Sequence, residues 1–420
     1  MNKTITNNIC DTICEEIALI DKRPIDHGER TAYILYKMLQ YAGEYEAYEI
    51  AEFCFIAKLH DIGAYITEDL NSSLRYEYKE SVRHSVAGFL FFKYLTPYEK
   101  LAKIILYHHS DYNQTENIQY KYKDIAMFLH VAETTDIYQK AMGSTFSLDI
   151  LNKYAGIKYS KRSLNLLKEA QEKEGILQKL SDGSYLEELE KSQKYLLLNK
   201  EDRKKLLRMM MYCMEFYGEL ASVDVVTCVA ICEELAKKLT LSEEDANILY
   251  YAAVVHDLGM LSIPKEIINL PRKLQKDEIE LVRSHVQKTQ DVIEGKFNTE
   301  IVRTALAHHE RLDGSGYPKG LHGEQMTYPM VILQVADMAT GLLGKRTFRK
   351  SLEIQDVCLV LQNEVKRGKL QSHVVDTFVE NAIEIMTNVE EHKKKIYGLH
   401  DKMYQQYDQT LGVEREKKNR

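Results

Sequence analysis

The chain has 420 residues, 45% of them hydrophobic and 28% charged, with six prolines and twenty glycines. That composition excludes a collagen-like, low-complexity or disordered polypeptide. The 56 basic and 63 acidic residues give a net charge of −7, without the basic excess of a duplex nucleic-acid binder. In chain order the pattern is helical from end to end. Acids at Asp11, Glu15 and Glu16 do not fit a secretory leader. Thr31, Ile34, Leu35, Met38, Leu39 and Ala42 make an apolar stripe that predicts a helix stopped by Gly43. Residues 160–215 are rich in Lys, Glu and Leu; Asp182-Gly183-Ser184 breaks them, and a long helix is expected to resume beyond. Val225, Val229, Cys232, Ala236 and Leu239 repeat the helical stripe. Ser242 followed by Glu243, Glu244 and Asp245 reads as an N-cap with acids in the first turn. Ile248 to Val255 is almost wholly apolar and should be central. The run from Glu414 to Arg420 is charged and expected to fray.

The expected architecture is all-α, with no alternating strands: a first domain over 1–184, a helical linker over 185–214, a second domain over 215–400 and a charged tail over 401–420. No run of eighteen apolar residues announces a membrane span, so a cytoplasmic setting is expected, with no membrane partner. Seven cysteines is an odd count, which favours free thiols in a reducing compartment. Cys10/Cys14 and Cys228/Cys232 are spaced i,i+4 on helical patterns. Lacking a second Cys or His pair at short distance, they read as core thiols rather than zinc ligands.

The strongest large-scale signal is an internal duplication. One half holds His27, His60-Asp61, His84, His108-His109 and Glu133; the other holds Asp224, His256-Asp257, His285, His308-His309 and Asp337. The offset between matching positions stays between 196 and 204 residues. Nine of the fourteen histidines fall in these two series, so the simplest reading is two copies of one fold. In each copy a His-Asp pair follows an apolar helix, where a buried carboxylate is costly unless paired or bound to a cation. Adjacent residues point in different directions, so an Asp can bridge two ions while its neighbouring His serves one. Mixed imidazole and carboxylate donors suit Fe, Mn, Ni, Co or Zn better than Ca or Mg.

The second copy carries a longer motif: His256-Asp257-Leu258-Gly259, Ile263-Pro264, Leu270-Pro271-Arg272-Lys273-Leu274, His285, then His308-His309-Glu310-Arg311-Leu312-Asp313-Gly314-Ser315-Gly316-Tyr317-Pro318, Gly320-Leu321, Val335-Ala336-Asp337, Arg346 and Arg349. At these residues, spanning roughly 215–385, the chain resembles the HD-GYP branch of the HD superfamily of metal-dependent phosphohydrolases, the cyclic di-GMP phosphodiesterases. The first copy resembles a diverged relative, with Ser110-Asp111-Tyr112-Asn113 where the second has its Gly-Tyr-Pro segment.

The resemblance implies a metal-dependent enzyme that opens a cyclic dinucleotide, first of all cyclic di-GMP, to the linear dinucleotide or GMP. Hybrid 3',3'-cyclic GMP-AMP is the alternative substrate, and a non-catalytic cyclic-dinucleotide receptor the alternative class. It implies two divalent ions, Fe or Mn, with a third allowed, for which Glu219 is a weak candidate ligand. Asp257 would bridge and act in catalysis with His256. His256 and Asp337, with Asp224, would hold one ion; His285, His308 and His309 would hold the other. Gly314, Gly316, Tyr317, Arg346 and Arg349 would bind substrate. His27, His60, Asp61, His84, His108, His109 and Glu133 would form a second metal site in a structural or regulatory first copy. A homodimer is also allowed. The chain departs from the pattern at three places. Asp224 stands at the first ligand position, Met260 (with Ala64 in the first copy) where the family carries a phosphate-contacting Lys, and Thr340 where a second Asp is common.

Overall fold

The computed structural model describes residues 2–67, 78–217, 225–344 and 351–412. Among them there is helix and no strand, only two isolated β-bridges. The chain divides into two compact units. One is Met1–Leu206 with Asp401–Arg420, and the other is Leu207–His400.

In the first unit, α1 (Asn2–Ile20) buries Ile9, Ile13 and Ile17 at i,i+4 spacing. The helix predicted from the first stripe is α2 (Lys22–Ala42). Asp21 caps it by accepting the Arg23 N–H, and Gly43 ends it at φ +68°, donating to the Leu39 carbonyl. Thr31, Ile34, Leu35, Met38 and Leu39 of that stripe are all buried. α3 (Ala47–Lys58) runs apolar around its whole circumference near the end, burying Phe53, Cys54, Phe55, Ile56 and Ala57, and so delivers His60-Asp61 into the interior. α4 (Tyr78–Leu95) carries His84, α5 (Lys103–Tyr107) leads into His108-His109, and α6 (Lys123–Met142) carries Glu133. α7 (Lys161–Glu174) and α8 (Tyr185–Gln193) follow, separated by a short helix, Ile176–Asp182, and a turn in which Gly183 has φ +83°.

The linking helix does not run unbroken from residue 185. It stops at Gln193, and α9 (Lys200–Tyr217) restarts where the Asn199 side chain accepts the N–H groups of Glu201 and Asp202. An asparagine there satisfies two donors that a continuing helix would have bonded internally, so it favours a fresh start.

In the second unit, α10 (Val225–Lys238) buries Val225, Val229 and Cys232, while Ala236 and Leu239 are half-buried. α11 (Glu243–Val255) starts at Ser242, whose hydroxyl accepts the Asp245 N–H, and buries Leu249 and Ala252 to Val255. α12 (Lys276–Arg283), α13 (His285–Ile293), α14 (Thr299–Leu306) and α15 (Tyr328–Leu343) bring in the remaining site residues. The charged tail expected from residue 401 begins later. α16 (Ala382–Leu411) continues through it, and Met403, in the stretch that belongs to the first unit, is buried. Residues 413–420 lie outside the described residues. Cys10, Cys14, Cys54, Cys228 and Cys232 are buried free thiols.

Candidate metal centres

The second unit builds its centre from helix ends. α11 stops at Val255, and the His256 Nδ1–H turns back to the Ala253 carbonyl at 2.9 Å. The next turn, Leu258–Ser262, packs directly on the start of α13. A Cβ on Gly259 would lie 2.0 Å from the His285 carbonyl oxygen, so only glycine permits this approach. Thr289 secures the junction: its hydroxyl donates to the His256 carbonyl at 3.1 Å and accepts the Gly259 N–H at 2.9 Å. His285 and His308 repeat the His256 arrangement. Their Nδ1 atoms donate to the carbonyls of Val282 (2.6 Å) and Ala305 (2.6 Å). A carbonyl only accepts, so in the neutral rings each Nε2 is left with its lone pair facing inward.

Those lone pairs converge. His285 Nε2 and His308 Nε2 stand 3.2 Å apart. Two acceptors facing one another repel unless a cation lies between them, which is the arrangement a metal requires. The donors separate into His285/His308/His309 and His256/Asp257/Asp337. Asp257 faces both sets. Its Oδ1 is 3.3 Å from His285 and 3.5 Å from His308, and its Oδ2 is 3.4 Å from His256. Asp337 lies 3.9 Å from His256 and 3.5 Å from His309. Burial alone would raise the Asp257 carboxyl, but His256, His285 and His308 outweigh it and hold it well below its usual range. Burial likewise disfavours charged His256, but Asp257 opposite it, with the Cys228 thiol and Asp337, drives it well above its usual value. His308 is lowered and His309 lowered further, chiefly by burial. Asp224, Glu219, Arg346 and Arg349 lie outside the described residues.

The Gly-Tyr-Pro segment wraps beside this centre. Buried Glu310 accepts the Lys319 N–H at 2.7 Å and the Leu321 N–H at 2.9 Å, pinning the loop from inside. Gly316 is demanded by the loop itself, since a Cβ there would come within 2.4 Å of the Glu310 Cα and the Arg311 backbone nitrogen. Gly314 sits at φ +77°. Tyr317 stacks on His309 (centroids 4.6 Å apart, planes 31°), and the Arg283 guanidinium lies over the same tyrosine ring at 4.7 Å.

The first unit repeats the arrangement. His60 and His108 donate through Nδ1 to the carbonyls of Ala57 (2.7 Å) and Ile105 (2.5 Å). His84 Nε2 and His109 Nε2 stand 2.9 Å apart. The donors separate into Asp61/His84/His108/His109 and His27/His60/Glu133. Asp61 again faces both sets, 3.4 Å from His84 and 3.7 Å from His60. Gly63 meets the His84 carbonyl as Gly259 meets that of His285, with 1.9 Å left for a Cβ. His60 Nε2, Asp61 Oδ1, His108 Nε2 and Glu133 Oε2 are buried without a hydrogen-bond partner. Four orphaned polar atoms gathered at one point are costly, and a cation coordinated by them would remove that cost. Glu133 is pushed well above its usual value by burial and by the nearby Asp61 and Asp136.

Two partners here escaped the sequence reading. Asp136 accepts from His27 Nδ1 at 2.6 Å, and Arg30 and Lys140 surround the same carboxylate. The outcome is a carboxylate–histidine pair of the kind that orients a metal ligand from behind. A signal existed: Asp136 follows Glu133 by three residues, as Thr340 follows Asp337. The second is Glu310, present in the motif but without an assigned role.

A profile of the HD domain family matches residues 25–182, and a second HD domain profile matches residues 191–374. The chain belongs to the HD domain family and is a tandem of two HD domains. It is 27% identical over 386 residues to the 3'3'-cGAMP-specific phosphodiesterase 1 of Vibrio cholerae, covering 85% of this chain and 87% of that protein. It is 36% identical over 139 residues to the cyclic di-GMP phosphodiesterase response regulator RpfG of Xanthomonas campestris, covering 32% of this chain and 36% of that protein. With a cyclic di-GMP phosphodiesterase of Thermotoga maritima the identity is 30% over 156 residues, covering 36% of this chain and 42% of the relative. A crystal structure of a cyclic GMP-AMP specific phosphodiesterase from Vibrio cholerae superposes with a TM-score of 0.59 at 15% identity, covering 90% of this chain and 97% of that one. That likeness carries the fold. Among the described residues no helix is long and apolar enough to cross a membrane.

Proposed function

We propose that the chain is a metal-dependent phosphodiesterase that hydrolyses a cyclic dinucleotide, cyclic di-GMP in the first place, and that the second HD domain does the chemistry. The observation that carries this is the open donor set beside the Gly-Tyr-Pro loop. Asp257, Asp337 and His309 keep 19%, 18% and 23% of their side chains exposed. Their counterparts Asp61, Glu133 and His109 keep only 5%, 1% and 10%. The second set is therefore the more open to a substrate phosphate.

His256, Asp257 and Asp337, with Asp224 at the sequence position before them, would hold one divalent ion; His285, His308 and His309 would hold the other, with Asp257 shared. Divalent ions so bound lower the pKa of water and neutralise charge on a phosphodiester; Fe or Mn suits this mixed donor set. The chain's own contribution is orientation. The backbone carbonyls of residues 253, 282 and 305 lock three imidazoles in the tautomer that offers Nε2. Tyr317 walls one side of the centre, and Glu310 keeps the loop that carries it in place.

Hybrid 3',3'-cyclic GMP-AMP is the second reading. The relative that aligns over most of this chain bears that specificity in its name. Incubating anaerobically purified, Fe- or Mn-loaded protein with cyclic di-GMP, cyclic GMP-AMP and cyclic di-AMP, with chromatography of the products, decides between them. Linear dinucleotide or GMP from cyclic di-GMP is the expected result. Turnover of cyclic GMP-AMP alone would transfer the assignment to it, and tight binding with no turnover of any would make the chain a receptor.

A further inference from the structure

Arg283 closes α12, two residues before His285, and its side chain is exposed. No carboxylate lies within 4.0 Å of its guanidinium among the described residues. It rests instead on the outer face of Tyr317, whose inner face stacks on His309. The three side chains form a pile running outward from a candidate metal ligand: imidazole, phenol, guanidinium. The base of the pile is well fixed. The Tyr317 N–H donates to the His309 carbonyl at 3.2 Å, and Glu310 pins the loop behind it. Two other arginines of this unit are, among the described residues, already used. Arg311 donates to the carbonyls of His308 and Glu310, and Arg272 is paired bidentately with Glu278. Position 260, on the turn that packs against α13, is a methionine and offers no charge.

A cyclic dinucleotide carries two phosphodiesters. When one lies at the ions the other must lie a few ångströms away, still anionic and in need of a partner. A guanidinium held flat by a cation–π contact keeps its N–H fork free for such an oxygen pair and loses little freedom in binding it. We propose that Arg283 binds the second, unreacted phosphodiester of the cyclic dinucleotide and so selects a two-phosphate ring over a simple diester.

This rests on the hydrolytic reading above, and the test separates the two. KM and kcat are measured for Arg283→Ala and Arg283→Lys with cyclic di-GMP, cyclic GMP-AMP and bis(p-nitrophenyl) phosphate, which has one phosphodiester only. Metal content is measured in parallel. For Arg283→Ala, KM for both cyclic dinucleotides should rise roughly tenfold to a hundredfold, the range of a lost charge-assisted hydrogen bond. Values for bis(p-nitrophenyl) phosphate and metal content should stay within about twofold. Arg283→Lys should recover part of the loss, since it keeps the charge and loses the fork. Equal losses on all three substrates, loss of metal, or losses that differ between the two cyclic dinucleotides would overturn the proposal. Should the wild-type protein turn over none of them, calorimetric binding of cyclic di-GMP replaces KM: undiminished affinity in Arg283→Ala then defeats the Arg283 proposal, and weakened affinity upholds it although the hydrolytic reading has failed.

Discussion

The two centres share a ligand pattern and differ in what lies outside it. In the first unit His109 is followed outward by His130 (ring centroids 6.3 Å apart) and then Tyr159 (5.1 Å further), both buried. The Tyr159 hydroxyl donates to Thr134, and the adjoining backbone of Ile157 and Lys158 accepts the N–H groups of Asn113 and Tyr112. Burial, helped by the nearby charge of Lys158, pushes His130 down to about 4, so this ring is uncharged at neutral pH. In the second unit His309 is followed by Tyr317 and then by exposed Arg283. One pile ends in a buried tyrosine, the other in an exposed cation. Closely matched donor sets thus differ in exposure, and the difference lies in the layer outside the imidazole, not in the imidazole itself.

The sharpest way to break this contrast is to remove the shared carboxylate from each centre. Asp257→Ala should reduce hydrolysis by about three orders of magnitude or more, the scale of losing a charge-stabilising group. Asp61→Ala should leave kcat within about threefold. Product formation under saturating metal measures both, and the reverse ranking would mean that the covered centre is the working one. A smaller effect should follow from Asp136→Asn. Weakening the group behind His27 should cost the first centre about 10–100-fold in metal affinity and leave hydrolysis intact. A time course of metal loss to a chelator reads this directly: two phases are expected in the wild type, the slower from the covered centre, and only the slower should accelerate in Asp136→Asn. Smallest is Glu310→Gln. It keeps the shape, but its amide nitrogen cannot accept, so one of the two backbone N–H groups now held by Glu310 loses its acceptor; thermal stability of the second unit should fall by about 1–3 kcal/mol, with KM for the dinucleotide rising as the loop loosens. An unchanged melting curve and KM would show that the loop holds itself without Glu310.

Much of this was legible in the sequence, for identifiable reasons. The stripe from Thr31 to Leu39 and the Ser242 cap are local patterns, and local patterns survive folding. The two ligand series were legible because duplication printed the same order twice. Asp136 was within reach of that logic, three residues beyond Glu133, yet its value lies in a hydrogen bond to His27, 109 residues away. Arg283 had no local signal at all. It reads as a helix-end charge until α12 and the Gly-Tyr-Pro loop meet in space. The break at residues 194–199 was missed because a Lys- and Glu-rich stretch keeps helical composition through a turn, and the helix beyond residue 401 because charge density masked Met403.

The contact between Gly259 and the His285 carbonyl has a consequence for how such a centre fails. A single added methyl at residue 259 would have to push the start of α13 outward, carrying His285 away from its companion imidazole across a gap that is only 3.2 Å to begin with. Gly259→Ala should therefore keep every donor atom yet weaken metal binding, and Gly63→Ala should do the same in the other half. The missing side chain at these two glycines is as much a component of the donor sets as the nitrogens that would surround an ion.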